Sequence, residues 1–135
     1  MIPAVRSRVL LADDYDGLLE AWRRLLEPRY DVVGAVRDGH ALLEAAVALE
    51  PDVVVADLAM PGMNGLDACR TIKHSLPNTK VVVVTAGGDE SVARVAFGAG
   101  ASAFVLKYAA ADDLPIAIER ALTGDTYSTP TESKR

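Results

Sequence analysis

Short apolar runs alternate with longer segments of helical period along this sequence, and no other feature constrains the fold as strongly. Five runs rich in Val and Leu fall at residues 8–12, 30–36, 53–56, 80–84 and 103–106. The middle runs are apolar at nearly every position, which is typical of strands buried on both faces of a parallel sheet. Between them, apolar residues recur at helical spacing. The alternation therefore predicts an α/β domain built from repeated βα units.

The length and composition predict one soluble domain. The 135 residues are 50% hydrophobic, which is enough for one hydrophobic core. We expect a lead-in at residues 1–7, the domain at 8–123, and a polar tail or the start of a linker to a missing output domain at 124–135. A net charge of -5 opposes direct DNA binding. A single cysteine, with no signal peptide or membrane-length apolar run in the sequence, predicts a cytoplasmic location.

Polar side chains follow four of the five predicted strands. Asp13 and Asp14 follow the first strand, Asp57 the third, Thr85 the fourth and Lys107 the fifth. The carboxyl ends of parallel strands lie at one edge of a sheet, and ligands of open α/β sheets bind there. We therefore expect these side chains to converge on one crevice.

Three carboxylates in one crevice need a counter-charge. Two like charges about 4 Å apart repel by roughly 4 kcal/mol at an effective dielectric constant of about 20. Either one carboxyl group stays protonated or a cation lies between them. Oxygen ligands favour Mg²⁺, which also keeps coordination positions for phosphate oxygens. With such a metal, Asp57 would attack a phosphoryl group, while Lys107 and Thr85 would stabilise the phosphoryl oxygens.

Four segments together resemble the motif set of response-regulator receiver domains of two-component systems. They are residues 10–14 (LLADD), 57–65 (DLAMPGMNG), 84–86 (VTA) and 104–107 (FVLK). The resemblance extends from about residue 8 to residue 123. Gly39 and the segments 60–65 and 98–101 resemble the NarL/LuxR-type subgroup, whose receivers usually precede a helix-turn-helix domain.

The resemblance implies a fold and a function. The fold is a flavodoxin-like (CheY-like), doubly wound, five-stranded parallel sheet of strand order 2-1-3-4-5, with helices on both faces. The function is a phosphorylation-activated signalling switch that accepts a phosphoryl group from a sensor histidine kinase or a small phosphodonor. Its only chemistry is self-catalysed phosphoryl acceptance and autodephosphorylation. The response is a change in the surface of the fourth and fifth helices and the last strand, which controls an output domain or partner and, in a full-length protein, transcription.

The resemblance also implies residue roles and partners. Asp57 is the phosphoacceptor, assisted by Lys107 and Thr85. The implied Mg²⁺ ligands are Asp13, Asp14, Asp57 and the backbone carbonyl of Ala59. Thr85 and Phe104 form the implied switch pair, in which Thr85 moves toward the phosphoryl group and Phe104 then turns inward. A homodimer would form through the fourth and fifth helices with the last strand, or through the first and fifth helices. DNA would be bound only by an output domain, and no membrane is involved.

Several alternatives stay open at the level of sequence. An Asp after a strand is, by itself, typical of a helix N-cap, and a lone Phe104 is typical of plain core. Cys69 and Trp22 lie on apolar helical stripes and are predicted to be structural. A stand-alone receiver would act as a phosphate relay, a phosphate sink or an interaction module. A phosphatase of the haloacid-dehalogenase type is disfavoured, because its general acid would fall at Ala59.

Two departures from the usual receiver pattern predict an unusual site. Tyr108 stands where many receivers have proline, and we expect it to alter the shape of the output face. Gly87 and Gly88 make the loop after Thr85 permissive, and Ala59 is small. We expect an open site that small phosphodonors and water can enter.

Overall fold

The computed structural model describes residues 5–130, so the outermost parts of the predicted lead-in and tail, 1–4 and 131–135, lie outside it. Within the described residues, no helix has the length and apolarity needed to cross a membrane. The elements in chain order are β1 (Arg8–Ala12), α1 (Asp16–Leu26), β2 (Asp31–Val36), α2 (Gly39–Leu49), β3 (Val53–Asp57), α3 (Gly65–Ser75), β4 (Lys80–Thr85), α4 (Glu90–Gly98), β5 (Ala103–Leu106), α5 (Ala110–Leu122) and β6 (Tyr127–Ser128). A single 3₁₀ turn, Lys107–Ala109, joins β5 to α5.

The strands form one parallel sheet in the order β2-β1-β3-β4-β5-β6. The predicted order 2-1-3-4-5 and the flavodoxin-like fold are therefore confirmed, with one short strand added at the edge. The predicted strand limits are also close. β2 begins at Asp31 rather than at residue 30, and β3 and β4 each continue one residue further, to Asp57 and Thr85.

Each face of the sheet carries its own hydrophobic core, because successive side chains of a strand point to opposite faces. Val54 of β3 packs in the core beneath α2, α3 and α4, and Val55 packs in the core beneath α1 and α5. All five residues of β3 are buried. Trp22 and Cys69 belong to these cores, with exposed fractions of 2% and 1%, as their helical spacing predicts.

Three helices begin with a side-chain cap, but α1 does not. Asp38, Asn64 and Asp89 cap α2, α3 and α4 by accepting hydrogen bonds from backbone N–H groups of the first turn. The residue before α1 is Tyr15, whose side chain makes no capping bond. The N-cap interpretation of Asp13 and Asp14 therefore does not describe this structure, and both carboxylates are left for the site beyond β1.

Residues 127–129, which lie in the segment predicted to be a polar tail or the start of a linker, pair with β5. Tyr127 donates its N–H to the Ser102 carbonyl at 3.2 Å, and Thr129 donates its N–H to the Phe104 carbonyl at 2.9 Å. The crossover through α5 returns the chain to the free edge of β5, where unpaired backbone groups are costly to leave without partners. This short edge strand was not predicted because the segment is polar.

A close backbone approach fixes the end of β3 against the start of α3. A Cβ atom placed on Gly65 would lie 2.5 Å from the Asp57 carbonyl oxygen and 2.7 Å from the Leu58 Cα. Gly65 also donates its N–H to the Leu58 carbonyl at 2.9 Å. Only glycine permits this contact, and it holds the backbone that carries Asp57.

We expect Gly65→Ala to lower the free energy of unfolding by about 1–3 kcal/mol, because the added methyl group meets backbone that has no room to yield. Gly98→Ala is the matched control, since a Cβ there has nothing within 4 Å. Urea unfolding followed by circular dichroism measures both variants. Equal stability of the two variants would show that the approach at Gly65 is not tight.

Candidate acidic site at the carboxyl edge of the sheet

Three carboxylates meet where β1 and β3 end side by side. Asp13 follows β1, Asp14 comes next, and Asp57 is the last residue of β3. One oxygen from each lies within 4.8 Å of the others. Asp13 is fully buried, Asp57 is 3% exposed, and Asp14 is exposed. The three aspartates therefore lie close together at the carboxyl edge of the sheet, as predicted.

Lys107 supplies the positive charge of this site. Its Nζ donates a hydrogen bond to Asp57 Oδ2 at 3.0 Å and lies 2.9 Å from Asp13 Oδ1. Lys107 directly follows β5, so its side chain reaches two strands across the sheet to Asp57. One ammonium group thus bridges two buried carboxylates from different strands.

Burial and the bridge shift the ionisation of the two partners. Burial raises the pKa of Asp57 above its usual range, and the adjacent Asp13 carboxylate raises it further, against lowering by Lys107 and the Ala59 N–H. Burial acts to lower the pKa of Lys107, but hydrogen bonding and attraction from Asp13 and Asp57 raise it overall. The ammonium form of Lys107 is therefore favoured at neutral pH.

The remaining bonds leave a place for a hard cation. Asp13 Oδ2 accepts the Tyr15 N–H at 2.9 Å, and Asp57 Oδ1 accepts the Ala59 N–H at 3.2 Å. Asp13 Oδ1 is buried and accepts no aligned hydrogen bond, although the Lys107 ammonium lies beside it. Three carboxylates and one ammonium have a net charge of -2 when all are ionised. An unsatisfied oxygen in an all-oxygen site of this charge fits Mg²⁺.

The two expected switch residues lie next to the site, on β4 and β5. Thr85 ends β4, and its hydroxyl donates to the Gly87 carbonyl at 2.8 Å rather than to a residue of the acidic cluster. Phe104 is fully buried, and a Cβ on Gly88 would lie 3.2 Å from its ring. Phe104 therefore already points inward here, because Gly88 leaves room for the ring.

An open groove leads away from Asp14. Its volume is about 810 Å³. It is lined by Asp14, Arg37, Asp38, His40, Pro61 and Gly62. The groove makes the exposed Asp14 side of the acidic cluster accessible from solvent, while Asp57 is 3% exposed.

Comparison with known proteins agrees with this geometry. The response regulator receiver domain family matches residues 9–119. The chain belongs to the response-regulator receiver family. Receivers are phosphoacceptor signalling modules rather than conventional enzymes, and an acidic triad such as this one is typical of their Mg²⁺ site.

The relatives of this receiver are NarL/LuxR-family regulators. The transcriptional regulatory protein YxjL of Bacillus subtilis (strain 168) is 35% identical over 132 residues, which cover 96% of this chain and 61% of that protein. The crystal structure of a LuxR-family two-component response regulator from Aurantimonas sp. SI85-9A1 superposes with a TM-score of 0.88 at 34% identity, covering 93% of this chain and 91% of that one. A structure of RcsB dimers bound to DNA gives a TM-score of 0.84 at 28% identity, covering 93% and 65%. This receiver thus spans less than two thirds of the YxjL sequence.

One buried polar residue near the site was missed by the sequence analysis. Thr129 is 4% exposed, and its hydroxyl contacts both β5 and Asp113 of α5. The only sequence signal is the alternation of Tyr127, Ser128 and Thr129 before a proline, which is weak evidence for a strand.

We expect Mg²⁺ binding, measured by isothermal titration calorimetry, to be lost in Asp13→Asn and Asp14→Asn, because each variant removes one charge from the oxygen cluster. Asp125→Asn is the matched control, since this exposed carboxylate lies in the turn after α5. Undiminished Mg²⁺ affinity in both site variants would contradict the assignment of the metal site.

Proposed function

We propose that this receiver is a phosphorylation-activated switch whose phosphoacceptor is Asp57. The donor is a sensor histidine kinase or a small phosphodonor, and the reaction depends on Mg²⁺. The observation that carries the proposal is the bridge of the Lys107 ammonium between Asp13 and Asp57, directly beside the exposed Asp14. This arrangement places a nucleophilic oxygen of Asp57 between the Lys107 ammonium and the carboxylates that would bind Mg²⁺.

The transfer moves one phosphoryl group. A carboxylate oxygen of Asp57 forms a bond to phosphorus, while the bond from phosphorus to the donor breaks and the donor leaves with its electron pair. Mg²⁺, when held by Asp13, Asp14, Asp57 and the Ala59 carbonyl, supplies charge neutralisation for the phosphoryl oxygens. Lys107 leaves the carboxylates and pairs with a phosphoryl oxygen. The Ala59 N–H, which already points at Asp57, helps to orient the carboxylate.

We expect small phosphodonors as well as a protein kinase to approach the site from the side of the exposed Asp14. A groove of about 810 Å³ opens there and is lined also by Arg37, which pairs with Asp16 at 3.2 Å. An acyl phosphate is much smaller than this space. Water enters by the same route, so we expect autodephosphorylation without a partner.

Thr85 is the proposed switch residue that responds to the phosphoryl group. Its hydroxyl exchanges the Gly87 carbonyl for a phosphoryl oxygen, and this pulls on the loop that leads into α4. The ring of Phe104 packs against the same loop at Gly88, so β5 senses the movement. The face made by α4, β5 and α5 changes as a pre-existing equilibrium shifts. Tyr108, 73% exposed on this side, becomes part of the altered surface.

The output of the switch is proposed from the relatives. YxjL is a transcriptional regulatory protein, and the RcsB structure contains dimers on DNA. We infer that this receiver controls transcription through an output domain in a longer protein. A stand-alone relay or sink is the second candidate. A haloacid-dehalogenase-type phosphatase is disfavoured, because Ala59 has no acidic side chain to protonate a leaving group.

We propose that the homodimer forms through α1 and α5. A largely apolar groove of about 470 Å³ between these helices is lined by Leu18, Ala21, Trp22, Arg24, Leu25, Lys107, Ala110 and Ala111. Lys107 belongs both to this groove and to the acidic site, which links dimerisation to phosphorylation. The competing face at α4, β5 and α5 has the edge of β5 covered by β6.

Incubation with Mg²⁺ and acetyl phosphate is expected to add the mass of one phosphoryl group to the wild-type protein and none to Asp57→Asn, as measured by intact mass spectrometry. Asp52→Asn is the control that keeps an equivalent charge change away from the site. Phosphorylation of the Asp57→Asn variant at the wild-type level would place the acceptor elsewhere.

With Mg²⁺ and beryllofluoride, a phosphoryl mimic, sedimentation velocity is expected to show dimers of the wild-type protein. Ala21→Glu puts a charge in the α1–α5 groove and should leave monomers, whereas Val95→Glu on α4 should still dimerise. The reverse pattern would assign the dimer to the α4 face.

A further inference from the structure

The segment Tyr127–Thr129 is attached to β5 by a buried hydroxyl group. Thr129 Oγ1 accepts the Leu106 N–H at 3.2 Å and donates to Asp113 Oδ2 at 2.7 Å. The Thr129 N–H is bonded to the Phe104 carbonyl at 2.9 Å. Thr129 therefore has both its hydroxyl and its N–H satisfied, at an exposed fraction of only 4%. A tail that only lies on the surface would not need three hydrogen bonds to one buried residue.

The hydrogen-bond partners of Thr129 lie in β5 and at the start of α5, the two elements on either side of Lys107. Leu106 directly precedes Lys107, whose ammonium bridges Asp13 and Asp57. Phe104 packs against the loop that follows Thr85. Asp113 lies in the first turn of α5, just after the 3₁₀ turn that Lys107 begins. Thr129 thus bonds to the β5 backbone before Lys107 and to the Asp113 carboxylate after it.

We propose that Thr129 is a positioning residue for Lys107, through which the segment Tyr127–Thr129 responds to the state of Asp57. The inference rests on the proposed function of Asp57. The segment Tyr127–Thr129 docks on β5 when Lys107 bridges the two carboxylates. It loosens when Lys107 follows a phosphoryl group.

The direction of the coupling follows from the bridge. A phosphoryl group on Asp57 lies beyond the carboxylate, so the Lys107 ammonium has to leave Asp13 and move outward to pair with it. That movement begins one residue from the Leu106 N–H, which donates to the Thr129 hydroxyl at 3.2 Å. Docking of the segment therefore favours the unmodified state. By thermodynamic reciprocity, removing the docking bond favours the modified state.

Amide hydrogen exchange, followed residue by residue by NMR, tests the docking. Addition of Mg²⁺ and beryllofluoride to the wild-type protein should speed exchange at the N–H groups of Tyr127, Thr129 and Leu106, since their acceptors are the docking partners. The N–H of Val55, in the centre of the sheet, is the internal reference. Unchanged exchange at the three amides, with beryllofluoride bound, would overturn the inference.

The affinity for beryllofluoride in the presence of Mg²⁺ tests reciprocity. Thr129→Val removes the hydroxyl at nearly constant volume and should tighten binding about fivefold or more, the range of ordinary coupling between sites. Thr129→Ser keeps the hydroxyl and should restore wild-type affinity. Thr123→Val, which removes an exposed hydroxyl bonded only to Arg120 of its own helix, should have no effect.

Two further results separate the possible failures. Asp113→Ala removes the acceptor of the same hydroxyl and should tighten binding in the same direction, which covers the case in which Thr129→Val does not fold. Wild-type affinity in Thr129→Val or in Asp113→Ala would overturn the inference and leave the proposed function intact. Equal binding of beryllofluoride by wild type and Asp57→Asn would instead overturn the proposed function itself, and this inference with it.

Discussion

The ion bridge from Lys107 to Asp13 and Asp57 is the interaction on which the rest of the site depends. Two carboxylates with almost no exposure are unfavourable unless a cation compensates them. In the parallel sheet β1 and β3 are neighbours, and Lys107 follows β5, so its ammonium group can compensate both carboxylates. The bridge compensates only part of the negative charge. Asp13, Asp57 and Lys107 therefore have enough charge compensation to be buried, and they still have enough negative charge to bind a divalent cation.

Much of this arrangement is predictable from the sequence, because it follows from periodicity and topology. Apolar runs predict the strands to within about one residue, as the limits of β2, β3 and β4 show. The rule that the carboxyl ends of parallel strands share one edge then brings Asp13, Asp57 and Lys107 together. Side-chain geometry is not predictable in this way. The inward position of Phe104 depends on space left by Gly88, and the hydroxyl contact of Thr85 depends on the path of the following loop.

The sixth strand shows why polar composition misleads at the edge of a sheet. Tyr127, Ser128 and Thr129 have only a weak alternating pattern, and such a polar segment is usually expected to be a linker. Backbone pairing with β5, one buried hydroxyl and packing of the Tyr127 ring on the core hold the segment in place. The physical cause is tertiary: α5 returns the chain to an edge that lacks partners. The local sequence has little information about backbone groups left unpaired on a strand that is distant in sequence.

The burial of Cys69 has a practical consequence for studying motion in this domain. Burial raises the pKa of the Cys69 thiol to about 11, and the side chain lies on the buried face of α3 with 1% exposure. Because the thiolate is the reactive form, the native cysteine stays inert to maleimide reagents near neutral pH. A cysteine introduced at exposed Val95 would then be the sole labelled position, with no need to replace the native residue. A fluorophore or spin label attached there would report on α4 in an otherwise native background.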